Sequence, residues 1–367
     1  MLIQALVALV VAFAVSAVLV RNGRHWTVGL DDDKPQRFHI GDVPRLGGVA
    51  LAAGMAIAGV RAALSPTLGD VGLAALNGAE LAMWWLAVLP GLAAAWYEDC
   101  TQRLEPRWRL LLTFVTGLLA VVLLDLSIAR TGFAFLDVFW QSSALFGVCL
   151  AVVAIAGLPH AFNIIDGYNG LAGVIAAAAA LALAYVAIKV GDWRLAGWLI
   201  GLVGATLGFL FWNYPRGLLF AGDGGAYLWG ISLAIASIQL VQGNSRVSPW
   251  FPMLVFVYPV SETLFSIYRK WVRGESPSVA DALHFHQLIY RRIVRQVFEG
   301  DQVRRLLIRN NKTSPYLWAF AAFTLVPAVL FWDNSWILML FCLFFMTAYI
   351  VMYRSIIRFK VPTWLRF

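Results

Sequence analysis

Residues 145–189 read LFGVCLAVVAIAGLPHAFNIIDGYNGLAGVIAAAAALALAYVAIK, two apolar runs with a polar, glycine-containing insert, Asn163 to Gly173, between them. Each run approaches the roughly 20 apolar residues that a helix needs to cross a bilayer core. Asp166 or Asn169 inside hydrocarbon would be costly, so the insert must face water, protein or a ligand. Gly167 and Gly170 leave backbone amides open to an anion. Interhelical hydrogen bonding is the plainer use for such residues. What the rest of the chain brings to the same side of a membrane decides between the two.

The pattern recurs along the whole chain. Of 367 residues, 61% are hydrophobic and 13% charged, against roughly 45 to 50% apolar in soluble domains. This composition predicts an all-α integral membrane protein with about eleven spans, near 2–20, 46–64, 80–96, 108–125, 143–159, 170–189, 194–212, 226–241, 249–268, 314–331 and 335–353. Continuous apolar runs, rather than ten-residue alternating segments, favour helices over a transmembrane barrel. The first span lacks a preceding Lys or Arg and is followed by Arg21 and Arg24, the wrong polarity for a cleaved signal peptide. With the gap after it taken as cytoplasmic, 23 of the 28 Lys and Arg residues fall on that side, which sets the N-terminus outside and the C-terminus inside. That bias explains most of the net charge of +8 without nucleic acid, and it favours anionic lipid and phosphate ligands. Cys100, Cys149 and Cys342 show no paired spacing and read as packing residues. No low-complexity linker divides the chain, so 1–367 is taken as one domain, with 269–313 as a long cytoplasmic loop. The alanine-rich run from Ala176 to Ala184 suits close helix packing.

Five of the cytoplasmic gaps carry chemistry. In DDDKPQRFHIGDVPRLGG, residues 31–48, Asp31 and Asp32 suit an ordinary solvated charge run, whereas Lys34, Arg37, His39 and Arg45 are candidates for phosphate contacts. Glu98 and Asp99 end the third span. Such a pair can hold a cation, or one member can serve as a base, although carboxylates at helix ends are often only interfacial anchors. Asp223, flanked by Gly222, Gly224 and Gly225, suits magnesium, which takes one or two carboxylates and shares its remaining shell with water and substrate phosphate; a plain turn is the alternative. Asn213 is either a second polar ligand or a helix cap. In HFHQLIYRR, His284 to Arg292, His284, His286, Arg291 and Arg292 suit a diphosphate. Two histidines at this spacing also suit a transition metal, but no further ligand cluster with cysteine accompanies them. Downstream, Val294, Val297 and Leu306 to Ile308, interspersed with arginines, predict an amphipathic helix at the interface.

Taken in order, DKPQRFH, PRLGG, EDCTQRL, FNIIDGYNGLAG, AGDGGAY and HFHQLIYRR resemble the segments of the polyprenyl-phosphate N-acetylhexosamine-1-phosphate transferases, a glycosyltransferase family 4-like group. The resemblance runs from about residue 31 to 292 and rests on the combination of segments rather than on any one. Three departures stand out: Glu98 replaces the first Asp of the acidic pair, Asn169 stands where many members have Asp, and a triple-histidine run is missing. The last favours the branch using simpler sugar nucleotides over the phospho-N-acetylmuramoyl-pentapeptide branch, and Asn169 becomes a nucleotide contact rather than a charged catalyst.

The resemblance implies transfer of a sugar 1-phosphate from a UDP-N-acetylhexosamine to undecaprenyl phosphate at the cytoplasmic face of a bacterial inner membrane, yielding UMP and initiating a surface glycan. Glu98, Asp99, Asp166 and Asp223 are then the candidate catalytic carboxylates, with Mg2+, or Mn2+ in its stead, at Asp223 and Asn163. His284, His286, Arg291 and Arg292 would clamp the diphosphate. The apolar spans leave room for a homodimer. The competing classes are a transporter or flippase, which requires polar groups near the bilayer midplane open to both sides, and a membrane scaffold without chemistry. A metal-independent transferase is a further alternative.

Overall fold

The computed structural model describes residues 1–23, 26, 43–64, 78–274, 283–294 and 301–358. Its described part is helical, with no strand. In chain order the helices are α1 (Leu2–Asn22), α2 (Gly47–Leu64), α3 (Gly78–Thr101), α4 (Pro106–Leu124), α5 (Ala134–Gln141), α6 (Ala144–Ile165), α7 (Leu171–Lys189), α8 (Trp193–Asn213), α9 (Gly222–Gly243), α10 (Trp250–Val255), α11 (Val257–Arg273), α12 (Phe285–Arg292), α13 (Gln302–Leu330) and α14 (Ser335–Ile357). Among the described residues, ten helices are long and apolar enough to cross a membrane: α1 to α4, α6 to α9, α13 and α14. The protein is a multi-pass membrane protein.

The segment expected to span at 249–268 is instead broken at Phe256 into α10 and α11. The cause is local. Pro259 has no N–H to offer the carbonyl of Val255, and its ring crowds that carbonyl, while the flanking bonds Phe256 N to Pro252 O at 3.0 Å and Val260 N to Phe256 O at 3.1 Å are made. The broken pair still carries the chain from one end of the bundle to the other. Ser248, just before α10, bonds Ser335 at the start of α14, whereas Glu262 within α11 bonds His284 at the start of α12. A second difference lies in α13, which runs without interruption through Leu306 to Ile308 and on through Pro315 to Leu330. The Leu306 to Ile308 part of the expected interfacial helix and the expected span at 314–331 are therefore one helix, whereas Val294 follows α12. Val297 lies outside the described residues.

Between helices in lipid the driving force is close packing rather than exclusion of water, so small residues mark the contacts. On α8, a Cβ at Gly204 would lie 2.2 Å from the Ala5 carbonyl oxygen, and one at Gly208 would lie 2.4 Å from that of Leu9. Backbone therefore touches backbone between α8 and α1. Helix α9 is the axis of the bundle, with 94% of its apolar window buried inside the protein against 22% for α14. Its first turn is crossed by the start of α2, where a Cβ at Gly48 would fall 2.3 Å from the carbonyl carbon of Gly224. Three bonds sew the two segments together: Phe220 N to Pro44 O, Gly47 N to Phe220 O and Gly48 N to Ala221 O, each 2.9 Å.

Candidate active site

The buried first turn of α9 organises the charged end of the bundle. Asp223 is 3% exposed and has partners from three other helices or their approaches. Its Oδ1 accepts from Asn163 Nδ2 on α6 at 2.9 Å and from Arg45 Nη2 ahead of α2 at 3.4 Å. Its Oδ2 accepts from Arg109 Nη1 on α4 at 2.7 Å. Both guanidinium side chains remain 23% exposed, so each reaches the carboxylate from a wetter position.

Asp99 shapes this turn from beneath. Fully buried at the end of α3, it accepts from Asp223 N and Gly224 N, each at 2.8 Å. A carboxylate on the open N–H groups of a first turn satisfies donors that have no partner within the helix and complements the helix dipole. Both of its oxygens are thereby committed to holding Asp223 in place. Gly222 is required here twice over: its φ is +70°, and a Cβ would meet the Arg45 carbonyl oxygen at 2.2 Å and Asp99 Oδ2 at 2.5 Å. The neighbouring Glu98 faces another way, accepting from Leu104 N at 2.9 Å and closing the α3 to α4 connection.

Asp166 caps the C-terminus of α6, its N–H bonding Asn163 O. It lies deep among protein atoms although part of its surface is open. Desolvation pushes its carboxyl up to about 7, opposed by the positive charge of Arg45 and reinforced by the negative charge of Asp223. The next residue, Gly167, lies against the His286 ring, with a Cβ position 3.0 Å from Nε2. His286 in turn stacks on His284, with centroids 5.3 Å apart and planes at 8°, and meets Tyr168 edge-on. The histidine segment and the aspartate segment thus form one wall.

Other candidates are committed to the fold. Asn213 accepts from Gly170 N at 2.6 Å and donates to Leu219 O at 2.8 Å, bridging two site loops with both ends of its amide. Asn169 is gripped by α13: its N–H bonds Asn310 Oδ1 at 2.9 Å, its Nδ2 bonds Asn311 Oδ1 at 3.0 Å, and its carbonyl accepts from Ser314 at 2.6 Å. Arg292 donates to the carbonyls of Ile356 and Ile357, a basic cap on the C-terminus of α14. Arg291 is exposed on α12. Lys34, Arg37 and His39 lie outside the described residues.

Three further residues join the site in three dimensions. Arg109 is the nearest cation to Asp223. His160, one turn before Asn163, bridges Thr113 Oγ1 at 3.0 Å and Tyr227 OH at 3.1 Å, tying α4, α6 and α9 together behind the carboxylate. Glu262, fully buried, holds the start of α12. For His160 and Glu262 a signal was available, since ionisable side chains inside or at the edge of apolar runs are functional candidates by default.

Hard oxygen donors, paired arginines and stacked histidines gathered at one end of a helical bundle define a multi-pass membrane enzyme whose site suits anionic substrates. Residues 81–241 match glycosyl transferase family 4, and the chain is similar to polyprenyl-phosphate sugar-1-phosphate transferases. It is 25% identical over 298 residues to a probable undecaprenyl-phosphate N-acetylglucosaminyl 1-phosphate transferase of Bacillus subtilis, covering 78% of each chain. It is 26% identical over 267 residues to the undecaprenyl-phosphate alpha-N-acetylglucosaminyl 1-phosphate transferase of Escherichia coli, covering 71% of this chain and 69% of that one. With the decaprenyl-phosphate N-acetylglucosaminephosphotransferase of Mycolicibacterium smegmatis it shares 28% over 301 residues, 76% of this chain and 72% of that one.

Proposed function

We propose that the protein transfers an N-acetylhexosamine 1-phosphate from a UDP-sugar to undecaprenyl phosphate, releasing UMP, at the cytoplasmic face of a bacterial inner membrane, as the first step of a surface glycan. The observation that carries this reading is the meeting of Arg45, Arg109 and Asn163 on Asp223. The relatives' names, with an undecaprenyl or decaprenyl phosphate acceptor in each, support the substrate class.

In this reaction an oxygen of the lipid phosphate attacks the phosphorus that bears the sugar. The bond from that phosphorus to the bridging oxygen breaks, and UMP departs with the electron pair. Both substrates are anions, so their repulsion must be offset before they meet. Arg45 and Arg109, partly exposed beside the carboxylate, are placed to offer forked donors to phosphate oxygens. Asp99 keeps the turn carrying Asp223 rigid, so little reorganisation is needed as charge shifts. A phosphate monoester is already largely ionised at neutral pH, so a dedicated base is dispensable.

Magnesium, with manganese as a substitute, fits the donor set at Asp223 and Asn163, because carboxylate and amide oxygens are the hard ligands it takes. Among the described residues no group of three or more acidic, histidine or cysteine side chains forms a closed cage, which suits an ion that shares its shell with substrate phosphate. When bound, the ion would neutralise charge on the diphosphate and the departing UMP. The test is UMP release by purified protein supplied with magnesium, undecaprenyl phosphate and a panel of UDP-N-acetylhexosamines, each omitted in turn. Release that needs the lipid phosphate, the UDP-sugar and the metal is expected; silence across the panel from folded protein would overturn the proposal.

A further inference from the structure

The reaction just proposed assigns no step to Glu262, a fully buried carboxylate in the middle of α11. Three donors converge on it. Its Oε1 accepts from Phe285 N at 2.8 Å and lies 3.2 Å from His284 Nδ1, and its Oε2 accepts from Tyr349 OH at 3.0 Å. An ionised carboxylate only accepts hydrogen bonds, and a buried one persists only when its lone pairs are met. The backbone amide, the phenol and the imidazole meet that requirement from α12, α14 and the segment before α12. From His284 the contacts continue to the stacked ring of His286, then to Gly167 and the Asp166 segment.

We propose that Glu262 is a positioning residue for the transfer reaction: it accepts the hydrogen of His284 Nδ1, fixing the ring's tautomer and orientation so that Nε2 is the nitrogen left for the substrate side, where it donates to an anion once the ring takes up a second proton. The inference rests on the transferase reading above. Which imidazole nitrogen carries the proton is set by the hydrogen bond the other group demands, and here two groups compete. The Gln287 amide in the first turn of α12 also faces the His284 side chain, in the manner of a capping box, and it would require an unprotonated ring nitrogen. One nitrogen cannot serve both. A charged acceptor outbids a neutral amide, because charge-assisted hydrogen bonds are about twice as strong as neutral ones. Gln287 retains its other role, accepting from His284 N through Oε1 at 3.2 Å, so α12 keeps a cap in either case.

The wild-type protein gives the first test. With its five histidines labelled with nitrogen-15 and His284 assigned by its loss in His284→Ala, the neutral ring should show a protonated Nδ1. A neutral ring protonated only at Nε2 would overturn the proposal, whether or not the protein turns over substrate. The second test is a double-mutant cycle. Glu262→Leu should lower kcat by about 10- to 100-fold, the range for removing the partner that orients a functional histidine, with KM for the UDP-sugar little changed. Glu262→Gln, which retains an acceptor of the same shape, should restore most of that loss. On the His284→Ala background Glu262→Leu should cost nothing further; an additive loss would show that Glu262 does not act through His284. Should Glu262→Leu fail to fold, the wild-type tautomer still decides. Absence of transfer in the wild type would instead sink the transferase reading and leave the tautomer result standing.

Discussion

The two ends of the bundle use arginine in opposite ways. At the end away from Asp223, Arg130 is wrapped by backbone oxygens: its Nη1 donates to Ser245 O at 2.8 Å, and its Nη2 to Val241 O, Asn244 O and Val247 O at 2.9, 2.7 and 2.7 Å. Burial pushes this guanidinium below its ordinary value, opposed by the negative charge of Asp137. Around it Gln242 ties Ser127 N and Asp125 O, each at 2.8 Å, and Trp250 bonds Thr131 O at 2.9 Å. At the site end, Arg45 and Arg109 meet a carboxylate rather than carbonyls and keep part of their surface open. An arginine closed into its own backbone serves as a staple, whereas one that shares a carboxylate at the edge of solvent can exchange that partner for a phosphate. The contrast counts against a substrate pathway open to both sides, since the far end meets its donors with the protein's own carbonyls.

Substitutions at the two ends should separate accordingly. Asp223→Asn should have the largest effect, lowering transfer by about 10^2- to 10^3-fold, as for loss of one preorganised electrostatic group, with thermal unfolding of the detergent-solubilised protein nearly unchanged; substantial remaining activity would remove Asp223 from the reaction. Arg109→Ala comes next. It should weaken binding of the UDP-sugar by roughly 10-fold or more, the equivalent of one hydrogen bond to a charged group, as read from KM or equilibrium titration. Arg130→Ala should invert this pattern, costing about 2 kcal/mol of stability through the carbonyls left unmet while kcat stays near wild type. A large kcat loss there without unfolding would break the distinction between the ends.

The smallest effect is in pH. Burial pushes the Asp166 carboxyl up to about 7 in the folded protein, above the ordinary carboxylate range, so folding favours its neutral form. That contribution to stability is complete below about 4 and is lost as pH rises through 7. With a chelator present, the melting temperature of the wild type should therefore decline between pH 5 and 8 more than that of Asp166→Asn. Equal slopes would show that the carboxyl is not held neutral.

Much of this was legible in the sequence because the bilayer's demands are simple. Long apolar runs announced eleven spans, of which ten appear as helices long and apolar enough to cross a membrane, and polar inserts between them drew attention to Asp99, Asn163, Asp166 and Asp223, since polar side chains there need a reason. Function within the cluster was less legible. Asp99 and Asp223 look alike in one dimension, but only the fold shows that one holds the first turn of α9 while the other faces two arginines. Arg292 and Asn213 carried the right chemistry for substrate and are turned to carbonyls and amides of their own chain. The break at Phe256 follows from Pro259, which was in plain view. Its consequence was not, because hydropathy alone does not register a missing N–H.

The bonds joining residues 44–48 to 220–221 have a practical corollary. Arg45 and the α2 glycines Gly47 and Gly48 that touch α9 lie outside residues 81–241, the stretch matched to the family, so a fragment cut to that stretch would lack part of the wall around Asp223. The chain could instead be divided between α2 and α3 and produced as two co-expressed pieces. Reassembly of activity from the pair, but not from the longer piece alone, would make the α1 and α2 hairpin a separable subunit of the enzyme and give a simple genetic handle for switching it on.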